Sequence, residues 1–219
     1  ADALGYATVG VNVRGKGCSG GALSFFEGSM ITDGYDVVEA IAAQDWVAHD
    51  HVGMVGISYP GITQLFVAST QPPHLAGIAP MSVIAESYAG IGYPGGIYYE
   101  EERLAPVSPA TLVDRIEVPV FLTGQWQDEQ TSGHFANMLD DFTGTDRLHV
   151  RLTNGPHGDG LTLPNFQVWT EFLDLYVAER IPEIPPVARL GVPAAINAIF
   201  GEGQALGPDR FAGYDSYEE

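Results

Sequence analysis

The stretch "VGMVGISYPG", Val52 to Gly61, carries a short, mostly apolar run into a turn that sets a serine between two glycines. Val52, Met54, Val55 and Ile57 have the composition and spacing of a short buried strand. Pro60 and the amphipathic "ITQLFVAST" after it begin a helix, since proline fits a helix's first turn. Strand, sharp turn and helix thus follow in order, with Ser58 at the turn. A serine nucleophile needs this setting, because the tight turn lifts its hydroxyl clear of the sheet and leaves backbone N–H groups beside it. Gly56 and Gly61 supply the small flanking residues, but the spacing is G-x-S-x-x-G, one residue longer on the far side than the commonest signature. Taken alone, the motif describes a Gly/Ser turn better than a nucleophile. Partner residues must decide.

Composition bounds the choices. A chain of 219 residues with 45% hydrophobic content can bury one sizeable core, so one globular domain is the expectation. No apolar run approaches the ~20 residues that span a bilayer, and no signal-peptide pattern is present. The chain starts at Ala1 rather than Met, which leaves localisation unassigned. Twenty-eight acidic residues against nine basic ones, Lys16 the sole lysine, give a net charge of −19. Such a surface repels phosphate backbones, so nucleic acid is not expected as a partner, and with no run of spanning length neither is a membrane. The single cysteine, Cys18, rules out an internal disulfide and a thiolate metal cluster.

Along the chain, strand and helix patterns alternate. Strands are expected at "GYATVGVNV" (5–13), at the opening stretch, at "LAGIAPMSV" (75–83), at "VPVFLTG" (118–124) and at "RLHVRLT" (147–153). Helices are expected at 33–47, after Ser58, at "SGHFANMLDDF", and at "NFQVWTEFLDLYVAER", where Phe166, Trp169, Phe172, Leu173 and Tyr176 share a face. This order implies an α/β fold with a doubly wound parallel sheet. Catalytic groups in such sheets gather beyond the carboxyl ends of the strands. Ser58, Asp128 and His157 each stand just past one, in the chain order nucleophile, acid, base.

A serine hydroxyl needs an imidazole to accept its proton, and the imidazole needs a carboxylate to fix its tautomer. His157 and Asp128 suit these roles, with Glu129 and Asp159 as rival acids. Asp128 is preferred because it lies on a different loop from the histidine. His149 sits inside a strand, His134 on a helix, and His49, His51 and His74 at the wrong ends of elements. These three groups suffice for the chemistry, so no metal or organic cofactor is expected.

The blocks "NVRGKGCSGG", "DGYDVVEAIAAQDW", "VGMVGISYPGITQ", "IAPMSVIAESYAGIGYPGG", "VPVFLTGQWQDEQTSGHF" and "TNGPHGD" resemble, in order, those of CocE/NonD hydrolases, the acyl esterases and Xaa-Pro dipeptidyl-peptidase-like serine hydrolases of the α/β-hydrolase fold. The resemblance covers roughly residues 5 to 180. It implies Ser58 as nucleophile, Asp128 as acid, His157 as base and the Tyr59 backbone N–H as an oxyanion donor. Family members carry further strands ahead of the first block and a tyrosine hydroxyl as second oxyanion donor, whose loss costs ~3 kcal/mol of transition-state stabilisation. They also insert a helical cap where about twenty residues stand here, and they continue into a jelly-roll domain.

The chain is therefore expected to be a partial catalytic domain (1–180), truncated at the amino end and with a reduced cap, followed by a linker (181–219). If the chain lacks a central strand, the 5–13 and nucleophile strands either pair directly or leave an open slot. Trp126, Tyr88 and Tyr93, with Tyr59, are expected to wall an acyl site. The expected function is hydrolysis of a small-molecule ester, or of a peptide, through an acyl-enzyme. Xaa-Pro peptidase action and a catalytically silent fragment are the alternatives. Esterase stands ahead of Xaa-Pro peptidase because nothing in the sequence recognises a proline or a free amino terminus; Glu86 is a candidate ammonium ligand, but a solvated loop glutamate is the stronger reading.

Overall fold

The computed structural model describes residues 2–23, 26, 28–93, 108–201 and 203–217. They fall into two compact units, 12–160 and a second formed by 1–11 with 161–219. The larger unit holds a parallel sheet of β1 (Val52–Ile57), β2 (Leu75–Met81), β3 (Val120–Gln125) and β4 (Leu148–Thr153), in that spatial order. β1 pairs in register with β2 from Gly53↔Gly77 to Ile57↔Met81, and β3 with β4 from Val120↔Leu148 to Gln125↔Thr153. Every residue of β3 is buried, its first half apolar through Val120, Phe121 and Leu122 as suits a strand covered on both faces, and its second half carrying the buried polar Thr123 and Gln125. β1 and β4, the outer members, keep Val55, Val150 and Leu152 exposed.

Helices α1 (Gly28–Ala42) and α2 (Tyr59–Ala68) belong to the same unit. α2 is apolar almost all round, and its Leu65, Phe66 and Val67 are completely buried. They join Ile78, Val120, Leu122, Phe135 and Met138 in one core. The segment expected as a helix at "SGHFANMLDDF" is a nine-residue 3-10 helix, Gly133–Asp141, whose Phe135 and Met138 reach that core. A single π-helical turn spans Tyr88–Gly92. Of the segment taken as the reduced cap, 97–117, residues 97–107 lie outside the described residues, and the remainder holds two short 3-10 turns, Pro109–Thr111 and Val113–Arg115.

Three expectations are corrected. The "GYATVGVNV" segment is not a strand: residues 6–13 form no ladder and Val9 and Val11 are exposed. Alternating β-branched residues give the propensity, but a strand exists only when a neighbour accepts its hydrogen bonds. Among the described residues β1 has β2 as its one paired neighbour. Neither a direct pairing of these two segments nor a strand on both sides of a slot is therefore present. Third, the terminal segment expected as a linker contains α4, Pro186–Phe200. Two of the residues that suggested a linker bound it, Pro186 opening the first turn and Gly201, at φ 71°, closing it in the left-handed conformation, while Gly191 and Pro193 lie within the helix.

The smaller unit contains α3 (Leu163–Tyr176) and α4. Leu4, Ile184 and Ala188 form its small apolar cluster. The fully buried Asp174 accepts from the Tyr6 hydroxyl and from Arg180, each at 2.7 Å, so its charge is paired. Burial and the neighbouring Asp174 push the Tyr6 phenol above its ordinary range. None of the described helices is long and apolar enough to cross a membrane.

Packing under β3 leaves no room for growth. A Cβ at Gly124 would stand 2.1 Å from Phe135 Cζ. Gly124→Ala is therefore expected to destabilise the chain by about 1–3 kcal/mol. Adding Phe135→Leu should return part of that loss in urea titrations, since the clashing ring atoms are gone; equal loss in the double variant would show that the strain lies elsewhere.

Candidate active site

Ser58 links β1 to α2 with φ 61° and ψ −127°, a conformation that costs a non-glycine residue of order 1–3 kcal/mol. Two hydrogen bonds hold it there. Its N–H donates to the Met81 carbonyl at 2.8 Å, and its own carbonyl accepts the Ile62 N–H at 2.8 Å, the first full turn of α2. The flanking glycines are required by contact. A Cβ on Gly56 would lie 2.6 Å from Pro60 Cβ, and one on Gly61 would lie 2.7 Å from the Met81 carbonyl oxygen and 2.9 Å from that of Gly56. The residue pressed against the strand ends is the third after Ser58, which accounts for the longer spacing of the motif. Tyr59 is the first residue of α2, so its N–H belongs to the amino end of the helix, where N–H groups point outward.

Asp128 follows β3 and His157 follows β4, at the start of the 3-10 helix His157–Leu161. The structure brings them together. His157 Nδ1 lies 2.9 Å from Asp128 Oδ1 and 2.8 Å from Oδ2. An ionised carboxylate only accepts, so Nδ1 carries the hydrogen and, in the neutral ring, Nε2 is the nitrogen with a lone pair. The Asp128 side chain is 1% exposed and that of His157 11%.

Three more donors serve the same carboxylate: the Gln130 N–H at 2.8 Å, the Thr131 N–H at 2.7 Å and the Thr131 hydroxyl at 2.7 Å. Burial pushes the Asp128 carboxyl up, but these donors together with His157 outweigh it and hold it below the usual carboxylate range. Thr131 did not figure in the sequence reading, although D-x-x-T on a loop is the spacing at which an aspartate closes on its own chain.

The rival acids stand elsewhere. Glu129 accepts the His157 backbone N–H at 3.0 Å instead of meeting its ring, and the Asp159 N–H closes a turn onto the Pro156 carbonyl at 3.0 Å. Hydrogen bonds, the His157 N–H first, hold the Glu129 carboxyl below its ordinary value.

The expected wall aromatics separate into groups. Tyr88 and Tyr93 stack on each other with centroids 4.5 Å apart, and Tyr88 is 64% exposed. Trp126 is 52% exposed, with its ring 5.6 Å from that of Phe135 and against Gly133. The Tyr59 ring goes the other way, packing on the core 5.2 Å from Phe26 with its hydroxyl 3.0 Å from Met30 Sδ. A side chain at the first position of a buried helix follows that helix inward, so Tyr59 is removed from the expected wall.

Residues 3–107 match the profile of the X-Pro dipeptidyl-peptidase (S15) family. A Mycobacterium bovis protein provisionally named a serine esterase is 37% identical over 97 residues, which are 44% of this chain and 15% of that protein. Among solved structures, a CocE/NonD family hydrolase from Staphylococcus aureus superposes with a TM-score of 0.65 at 21% identity, over 78% of this chain and 37% of the other. An esterase of Pyrococcus furiosus gives 0.58 at 16% identity, over 75% and 69%. The chain thus has the α/β fold of these hydrolases and spans a minor part of the mycobacterial and staphylococcal proteins.

Two outcomes follow from the geometry. Because the folded pKa of Asp128 is depressed, its contribution to stability is present above the unfolded value, about 3.9, and is lost as pH falls toward the folded one. The stability difference between the native chain and Asp128→Asn, read from urea midpoints, should be constant near neutrality and shrink below about pH 4. Trp126→Ala, at a half-exposed ring, should cost about 1 kcal/mol or less in a melting experiment. A large loss of stability would show the ring to be a core member.

Proposed function

We propose that this chain, whose amino-terminal part matches the S15 family and whose fold is that of CocE/NonD hydrolases, carries the catalytic groups of a serine hydrolase acting on carboxylic esters. Ser58 is the nucleophile, His157 the general base and Asp128 the acid that orients it. The observation that carries the reading is the Asp128 carboxylate on His157 Nδ1 at 2.8 Å, buried and fed by three further donors. It fixes the tautomer in which Nε2 takes a proton.

In the first step Ser58 Oγ attacks the carbonyl carbon while His157 Nε2 takes the hydroxyl proton. The Tyr59 N–H at the amino end of α2 stabilises the oxyanion. The intermediate collapses, the same proton passes from Nε2 to the leaving alkoxide, and an ester on Ser58 remains. Water, deprotonated by Nε2, then attacks that ester, and as the Ser58 ester bond breaks the proton passes from Nε2 to Oγ, releasing the acid and restoring the free serine. Asp128 stabilises the imidazolium in both halves without taking the proton itself. Tyr88, Tyr93 and Trp126 are proposed as the apolar groups that receive the acyl chain.

The S15 match supports a second reading, cleavage after an Xaa-Pro dipeptide, which uses the same three groups with an amine as leaving group. A panel of p-nitrophenyl acyl esters beside Xaa-Pro p-nitroanilides separates the two. Labelling with a fluorophosphonate probe tests the common core: the chain is expected to label at one site, Ser58→Ala to abolish labelling, and His157→Gln to slow it by at least ~100-fold. Undiminished labelling of Ser58→Ala would remove the assignment.

A further inference from the structure

His157 stands in "NGPHGDG", with Gly155 and Pro156 before it and Gly158 and Gly160 after it. Glycines on both sides leave the backbone many conformations, so a carboxylate gripping one ring nitrogen does not by itself determine where the imidazole stands. Two side chains from other loops hold the peptide. Glu129 accepts the His157 N–H at 3.0 Å. Ser82, the residue directly after β2, places its hydroxyl 2.7 Å from the His157 carbonyl oxygen.

The second contact belongs to a buried relay. Ser82 Oγ also lies 2.7 Å from the Gln125 amide oxygen position, yet a hydroxyl has one hydrogen and cannot donate to both. Gln125 is fully buried, and its amide nitrogen has no partner in that orientation. Turning the amide over lets the nitrogen donate to Ser82 Oγ, and the Ser82 hydrogen then goes to His157. One change gives the nitrogen an acceptor and removes the conflict. Ser82 is 1% exposed and sits at φ 51°, off the normal range for a residue other than glycine. Its N–H is tied to the Thr123 carbonyl at 3.1 Å, so the hydroxyl is held from behind.

We infer that Glu129 and Ser82 are positioning residues for His157, holding the two ends of its residue so that Asp128 meets the ring in one place. Adjacent carboxylates on a single turn thus divide the task, Asp128 taking the imidazole and Glu129 the main chain. Gln125 supports Ser82 from β3. Displacements of about 1 Å at a reacting group cost on the order of 100-fold in rate, so a loop rich in glycine needs such a clamp. The inference rests on His157 being the base of the proposed hydrolase, and its test does not depend on turnover.

The low-field proton resonance of His157 Nδ1–H, assigned by its absence in His157→Gln, reports the Asp128 contact directly. Glu129→Ala, Glu129→Gln and Ser82→Ala are compared for this resonance, for the rate of fluorophosphonate labelling and for melting temperature. Glu129→Ala and Ser82→Ala are expected to broaden or shift the resonance and slow labelling by about tenfold. Glu129→Gln keeps an acceptor oxygen and should restore most of both. Should Ser82→Ala fail to fold, the exposed Glu129 pair still decides. An unchanged resonance in Glu129→Ala, or equal damage from Glu129→Gln, overturns the inference. If the native chain does not label but the resonance responds as described, the clamp stands and the hydrolase reading falls.

Discussion

The close approach of helix α2 to the carboxyl ends of β1 and β2 is the constraint from which the rest follows. Backbone meets backbone there: Gly61 faces the Met81 and Gly56 carbonyls at separations that no Cβ survives. That contact forces the chain to reverse within Ser58, which takes the strained dihedrals of the elbow. It also lays Leu65, Phe66 and Val67 onto the sheet, where their burial supplies stabilisation of about 1.5–3 kcal/mol each and so outweighs the strain. Packing sets this conformation of Ser58, and the two backbone hydrogen bonds of the residue secure it.

Parallel pairing makes the second contribution. All four strands run the same way, so the residues after β1, β2, β3 and β4 emerge at one end of the sheet. Ser58, Ser82, Asp128 and His157 come from four separate connections and share that end for no other reason. The sheet interior, apolar through Ile78, Val120 and Leu122, gives those loops a rigid floor.

Electrostatics works within an unusual composition. Basic residues are few, nine for twenty-eight acidic ones, and the buried carboxylates are stabilised in different ways. Asp174 has Arg180 and Tyr6, whereas Asp128 is kept ionised by backbone and hydroxyl donors and by the His157 ring. A nearby arginine would hold Asp128 charged equally well but would compete for the imidazolium's counter-charge. Neutral donors leave the full negative charge facing His157.

Local pattern carried much of this. The strands β1 to β4 and the helix after Ser58 were legible because apolar period and turn residues act over a few neighbours. The placing of Ser58, Asp128 and His157 past strand ends was legible for the same reason. The 5–13 segment was misread because strand formation needs a partner that propensity does not contain, and α4 because proline and glycine end helices as well as interrupt them. Choosing among Asp128, Glu129 and Asp159 turned on which oxygen met which nitrogen, a matter of ångströms. Ser82 was invisible, a lone polar residue in "APMSVI" whose partners lie 43 and 75 positions away. The sequence by itself determined the fold class and the residues able to do chemistry, since these depend on local periodicity and on functional groups. Only the tertiary structure decided which carboxylate holds the ring and which the backbone, because a hydrogen bond is set by distance and direction between segments remote in the chain.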